Sequence, residues 1–133
     1  MTYESVQPDL IPTGALGERM GLRIVEASPT RVVVTMPVEG NTQPFGLLHG
    51  GANAVLVETA GSIGAALHAG PHNMVVGLDI SCTHHRAARE GIVTAIAEPL
   101  SLGRTVTSYQ VAITDESGRA TCTGRLTCLI RPT

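Results

Sequence analysis

Between residues 50 and 70 the chain carries a single formal charge, Glu58, in a run dominated by Ala, Val, Leu and Ile. A helix that is apolar on every side has to be buried on every side. At 1.5 Å per residue such a helix is about 30 Å long, enough to cross a bilayer. Asn53, Glu58, Ser62 and the internal Gly61 and Gly64 count against a membrane span, so the segment is expected to be a core helix enclosed by sheet.

The flanking sequence supplies that sheet. Residues 22–27 and 31–38 are β-branched runs separated by Ser28-Pro29-Thr30 and predict a hairpin. Strands are expected over 74–82, 91–98, 104–114 and 119–130, with Asp115-Glu116-Ser117-Gly118 as a hairpin turn between the last two. In the final strand Cys122, Gly124, Leu126, Cys128 and Ile130 alternate with polar residues, which predicts one buried face. The expected order is β-β-α-β-β-β-β in the α+β class. Residues 1–13, with Pro8 and Pro12, are expected to form an arm that adds little, and 16–20 a short helical turn leading to Gly21. An open sheet leaves edge strands exposed, and pairing two subunits edge to edge removes them, so a homodimer is expected.

At 133 residues the chain has room for one domain, spanning 1–133. The net charge is −2, the nine basic residues are all Arg without a run, and there is no Trp and one Phe, which excludes nucleic acid as an expected partner. Cys82, Cys122 and Cys128 form no C-x-x-C pair and are expected to be free, buried thiols. The opening Met-Thr-Tyr-Glu-Ser has no basic stretch leading into an apolar one. A cytoplasmic protein without membrane attachment is expected.

The chemistry centres on Glu58, because a carboxylate inside an apolar helix is costly unless it is neutral, paired or facing a polar cavity. A structural Glu bonded to a neighbouring chain is the plainer explanation. Against it stands the sequence Gln43-Pro44-Phe45-Gly46 followed by His49-Gly50-Gly51 at the helix start. Free N–H groups and the positive end of the helix dipole meet there, and a carbonyl oxygen gaining negative charge would be stabilised. Equally, the glycines could serve only a tight turn and His49 could be structural.

Gly50 and Glu58 are eight residues apart, about 12 Å along a helix, so one chain cannot bring them together. Two antiparallel helices related by a two-fold axis could. Ser62, one turn beyond Glu58, could position a water or merely pack. No G-x-S-x-G elbow makes it a nucleophile. His84 and His85 are neighbours on a strand and face opposite ways, so no metal site is expected. Arg86, Arg89 and Arg104 could receive phosphates or form a solvated rim.

The stretch from Gln43 to Gly51, together with Glu58-Thr-Ala-Gly-Ser62, resembles the PaaI-like hotdog thioesterases. The resemblance continues through Val76-Gly77-Leu78-Asp79-Ile80, the residues from His84 to Gly91, and Pro99-Leu100-Ser101-Leu102-Gly103-Arg104, covering nearly the whole chain outside the arm. It is strongest to the 1,4-dihydroxy-2-naphthoyl-coenzyme A and benzoyl-accepting types. It implies a hotdog fold, a curved antiparallel sheet around one long helix, with dimers sharing a continuous sheet and pairing into a homotetramer.

It also implies hydrolysis of an acyl-coenzyme A thioester, with an aromatic acyl group and no cofactor beyond the coenzyme A of the substrate. Glu58 would be nucleophile or general base, Gly50 N–H would polarise the carbonyl, Gln43 and His49 would orient substrate, and Ser62 would assist. Gly77, His84, His85, Arg86 and Ala87, with Ser101, Leu102, Gly103, Arg104, Thr105 and Val106, would line the coenzyme A path. Two other activities remain open: a hotdog hydratase or dehydratase on acyl thioesters, and a non-catalytic acyl-coenzyme A sensor.

Overall fold

The computed structural model describes residues 6–133. Helix α1 (Gly14–Met20) leads into the hairpin β1 (Arg23–Ser28) and β2 (Arg31–Pro37). Helix α2 (Gly50–Ala69) follows, then β3 (Asn73–His84), β4 (Ile92–Leu102), β5 (Val106–Thr114) and β6 (Ala120–Pro132). The six strands form one antiparallel sheet in the order β1-β2-β4-β5-β6-β3, and α2 lies against it. This is the expected order and the hotdog arrangement of a curved sheet around one helix.

Three expectations shift. β4 runs on to Leu102 because a bulge between Pro99 and Ser101 absorbs the proline that otherwise marks a strand end. β5 starts at Val106 because Gly103 N–H donates to Val106 O at 2.9 Å and turns the chain there. The described portion of the arm is also part of the fold, and residues 1–5 lie outside the described residues. Val6 N–H donates to Ala27 O at 2.9 Å, and Pro8–Leu10 form a 3₁₀ turn.

α2 is bounded as its sequence demands. The Nδ1 of His49 accepts from Gly51 N–H at 2.8 Å and caps the first turn, and Gly70, at φ +85°, ends the helix. Glycines let helix and sheet approach closely. A Cβ at Gly64 would lie 2.6 Å from Cζ of Tyr109, one at Gly61 would lie 2.7 Å from Leu126, and one at Gly124 of β6 would meet Val57 at 2.5 Å. Leu56, Val57 and Ala60 are fully buried there, alongside Val32, Val34, Val111 and Ile113 of the sheet.

The expectation of burial on all sides holds for one side only. Val55, Thr59, Ser62 and Ile63 are half-buried and Ala66 is exposed, forming a helix face next to β3 that this chain leaves partly open. β3 is an edge strand and exposes Met74, Val76, Leu78 and Ile80.

At the far hairpin, Asp115 accepts from the N–H groups of Ser117 and Arg119, both at 3.0 Å, and pairs with Arg119 Nε at 3.1 Å. The Ser117 hydroxyl bond, with those partners, holds its carboxyl down at about 2.

Ala ordinarily favours a helix over Gly by about 1 kcal/mol. Gly64→Ala is nevertheless expected to destabilise the fold by about 1–3 kcal/mol, because the methyl would enter the fully buried Tyr109 ring, whose hydroxyl is anchored on Pro29 O. Urea denaturation measures the sign, and a stabilised variant would contradict this packing.

Candidate active site

The loop before α2 is built from its own polar groups. Asn41 Nδ2 donates to Met20 O and Pro37 O, each at 2.8 Å, and His49 N–H donates to Asn41 O at 2.9 Å. Gln43 N–H donates to Leu47 O, and its Oε1 accepts from the N–H groups of Phe45 and Leu47. The Gln43 amide nitrogen is what this leaves for a ligand. Phe45 stands exposed at the tip.

His49 is thereby assigned a role the sequence left open: one ring nitrogen caps the helix and the other faces away from it. With Gly51 N–H engaged, Gly50 N–H has no acceptor among the described residues. An unpaired donor at the positive end of a 20-residue helix suits an anion or a polarised carbonyl.

His84 reaches this point from β3. Its Nε2 is 3.1 Å from where a Cβ on Gly50 would stand, and its Nδ1 is 3.1 Å from Asn53 Nδ2. Asn53 is buried, and its Oδ1 has no partner among the described residues. Sequence reasoning missed Asn53 as a site residue. The available signal was a polar side chain in the first turn of an otherwise apolar helix. His85 points the opposite way and bonds Thr123 Oγ1 at 2.8 Å.

Two turns further along α2, the Glu58 carboxyl rests against the backbone of Gly77 on β3. A Cβ at Gly77 would collide with Glu58 Oε1 and lie 3.1 Å from its Cδ. Gly77 is therefore placed beneath the carboxylate, at the start of a bulge in the β3–β6 register. No ion pair or hydrogen bond holds Glu58 among the described residues. Gly77 pairs with Cys128, and Ser62 hydrogen-bonds to the thiol of Cys128.

The remaining residues divide between the two ends of α2. Arg86 and Ala87 join Arg89, Asp115, Glu116 and Arg119 around a polar cleft of about 340 Å³. The loop that carries them is tied to the start of α2 by Leu48 N–H donating to Ala88 O at 2.8 Å. Segment 101–106 lies at the other end, where His68 Nε2 meets Gly103 O at 2.7 Å. His68 and Gly50 are about 27 Å apart along the helix. One chain does not bring the two groups to a common point.

Beside Ser62 opens an apolar cavity of about 390 Å³ whose walls include Thr59, Ile63 and Val75 together with Ile11 and Pro12 of the arm. Sequence reasoning set the arm aside, and an Ile-Pro pair in a polar segment was the only cue.

Residues 45–122 match the model of the thioesterase superfamily. The chain is 41% identical over 131 residues to the proofreading thioesterase EntH of Cronobacter turicensis, covering 98% of this chain and 94% of that protein. It is 44% identical over 112 residues to the 1,4-dihydroxy-2-naphthoyl-CoA hydrolase of Escherichia coli, covering 84% and 82%. Among solved structures, thioesterase HI1161 from Haemophilus influenzae superposes with a TM-score of 0.85 at 38% identity, covering 90% and 84%.

The two buried thiols, Cys122 and Cys128, should be inert. Burial pushes Cys122 up to about 12, with the neighbouring Cys82 adding to it, and burial also raises Cys82 and Cys128. At Cys128, hydrogen bonds from Ser62 and Thr107 oppose the rise, while the Glu58 charge reinforces it. Only the thiolate reacts, so a raised pKa removes the nucleophile at pH 8. A disulfide reagent at that pH is expected to spare Cys122 and Cys128 in the folded protein and to titrate all three cysteines after denaturation. Rapid labelling of Cys128 in the folded protein would show that the floor of the site is open.

Proposed function

Because the chain belongs to the thioesterase superfamily, we propose that it hydrolyses acyl-coenzyme A thioesters with Glu58 as the catalytic carboxylate. It is a thioester hydrolase by that membership. The observation carrying the residue assignment is a half-buried carboxylate, set against Gly77 on a helix with no other charge and held by no ion pair among the described residues. A Glu with a structural role inside this chain would have found a partner among the described residues.

The thioester oxygen would accept from Gly50 N–H, where the helix dipole stabilises the charge that develops as the carbonyl becomes tetrahedral. Glu58 would take a proton from the attacking water or attack the carbonyl itself, with water then releasing the acyl group. The C–S bond breaks, the acyl group leaves as the acid, and coenzyme A leaves as a thiolate that picks up a proton. Gln43 Nε2 and the outward nitrogen of His49 would orient the thioester.

Since Gly50 and Glu58 are about 12 Å apart in one chain, each centre would combine Gly50 of one subunit with Glu58 of another, in a homodimer at minimum and a dimer of dimers in full. The half-open helix face and the exposed apolar β3 edge support that assembly. An aromatic acyl group is the substrate this reading favours, in keeping with the resemblance to the dihydroxynaphthoyl hydrolase. Arg86, His84 and segment 101–106 would receive the nucleotide and pantetheine. No cofactor is called upon, and the cytoplasm is the expected compartment.

Release of thiol from benzoyl-coenzyme A should fall by about 10² to 10⁴ in kcat for Glu58→Gln. Gly77→Ala, which puts a methyl where the carboxyl now rests, should also lower kcat while the protein stays folded. Near-native turnover in Glu58→Gln would remove this carboxylate from the mechanism, and a change in enoyl absorbance without thiol release would identify a hydratase instead.

A further inference from the structure

We infer that the arm is the specificity wall of the acyl site: Ile11 and Pro12 close an apolar cavity that receives a neutral acyl group from the thioester held at Glu58. This rests on the hydrolase reading above and adds to it the chemistry of the acyl group and a segment that selects it.

The cavity begins one helical turn from the carboxylate, at Ser62. On α2, Ser62 is one turn past Glu58, about 5.4 Å along the axis. On β3, Val75 is two residues before Gly77, about 7 Å away, and alternation puts both on the helix side of the strand. An acyl group whose carbonyl carbon is met by Glu58 therefore enters directly between Ser62, Ile63 and Val75, with Ile11 and Pro12 opposite.

The walls specify what fits. The residues around the cavity are apolar apart from the hydroxyls of Thr59 and Ser62, and none carries a charge. A second carboxylate on the acyl group would meet no cation there and would face Glu58. The volume of about 390 Å³ lies within the range of small-molecule sites. Neutral aryl or compact aliphatic acyl groups match it, and dicarboxylic ones do not.

The arm suits a selective wall better than a core element. It is held by few bonds, Val6 N–H to Ala27 O at 2.9 Å and Ile11 N–H to Pro8 O at 3.0 Å, and Ile11 is only half-buried. Pro12 fixes its own φ and so holds the wall at little entropic cost. Because the arm lies outside the matched stretch of residues 45–122, its side chains can set acyl preference without touching the catalytic motifs.

The test compares kcat/KM for acetyl-, benzoyl- and succinyl-coenzyme A in the full chain, its Ile11→Ala and Ile11→Trp variants, and Leu10→Ala as a control from an exposed neighbouring position. The expected results are poor turnover of succinyl-coenzyme A and a benzoyl-to-acetyl ratio lowered about 10-fold by either Ile11 variant, from lost contact or from a filled cavity. Leu10→Ala should leave the ratio where it was. Should Ile11→Trp fail to fold, Ile11→Val must still move the ratio in the same direction as Ile11→Ala.

Unchanged ratios in folded Ile11 variants overturn the inference and leave the hydrolase reading standing. So does efficient turnover of succinyl-coenzyme A. A changed oligomeric state with unchanged ratios assigns the cavity to a subunit contact and overturns it too. Absence of thiol release from every thioester in the native protein is a different result, since it refutes the hydrolase reading itself.

Discussion

The contact between Glu58 and the backbone of Gly77 governs the geometry of the whole site. It exists only because β3 has no side chain at that point, and a Cβ there would occupy the space of the carboxyl. The helix can come that near the sheet because Gly61, Gly64 and Gly124 remove side chains elsewhere along the same seam. Close packing is thus what permits a carboxylate to sit half-buried beside a strand instead of being pushed into solvent. It also brings Cys128 and Ser62 under the carboxyl, where the thiol is held protonated by burial.

Much of this was legible in the sequence, and the reasons are local. α2 is delimited by glycines and by a capping His49, so its expected and observed bounds differ by one residue. The turn at Asp115 and the alternation in β6 were readable because each depends on neighbours within a few positions. β4 was cut short because Pro99 normally ends a strand, and only its register against β5 shows that a bulge accommodates it. Asn53 and His84 meet across 31 positions, and no local pattern announces such a pair.

The openness of one face of α2 could not be read from composition at all. An apolar run reports that a helix avoids water and not which chain covers it. Here the chain's own sheet covers Leu56, Val57 and Ala60, while Val55, Ser62 and Ile63 remain half-buried next to an apolar edge strand. The sequence pattern was therefore right about burial on the side that faces the sheet and silent about the other face.

The division of candidate residues between the two ends of α2 follows the same logic. Gly50, His84 and Arg86 gather at the N-terminal end, segment 101–106 lies at the C-terminal end, and Glu58 stands between them. A short substrate held within one chain could reach only one end. A second helix laid antiparallel across the open face would bring the C-terminal end of one copy beside the N-terminal end of the other. The donor at Gly50 would then face a foreign Glu58, and a long thioester could run from one subunit's arginines to the other's apolar cavity. The separation that rules out a site within one chain is therefore what a shared site would require.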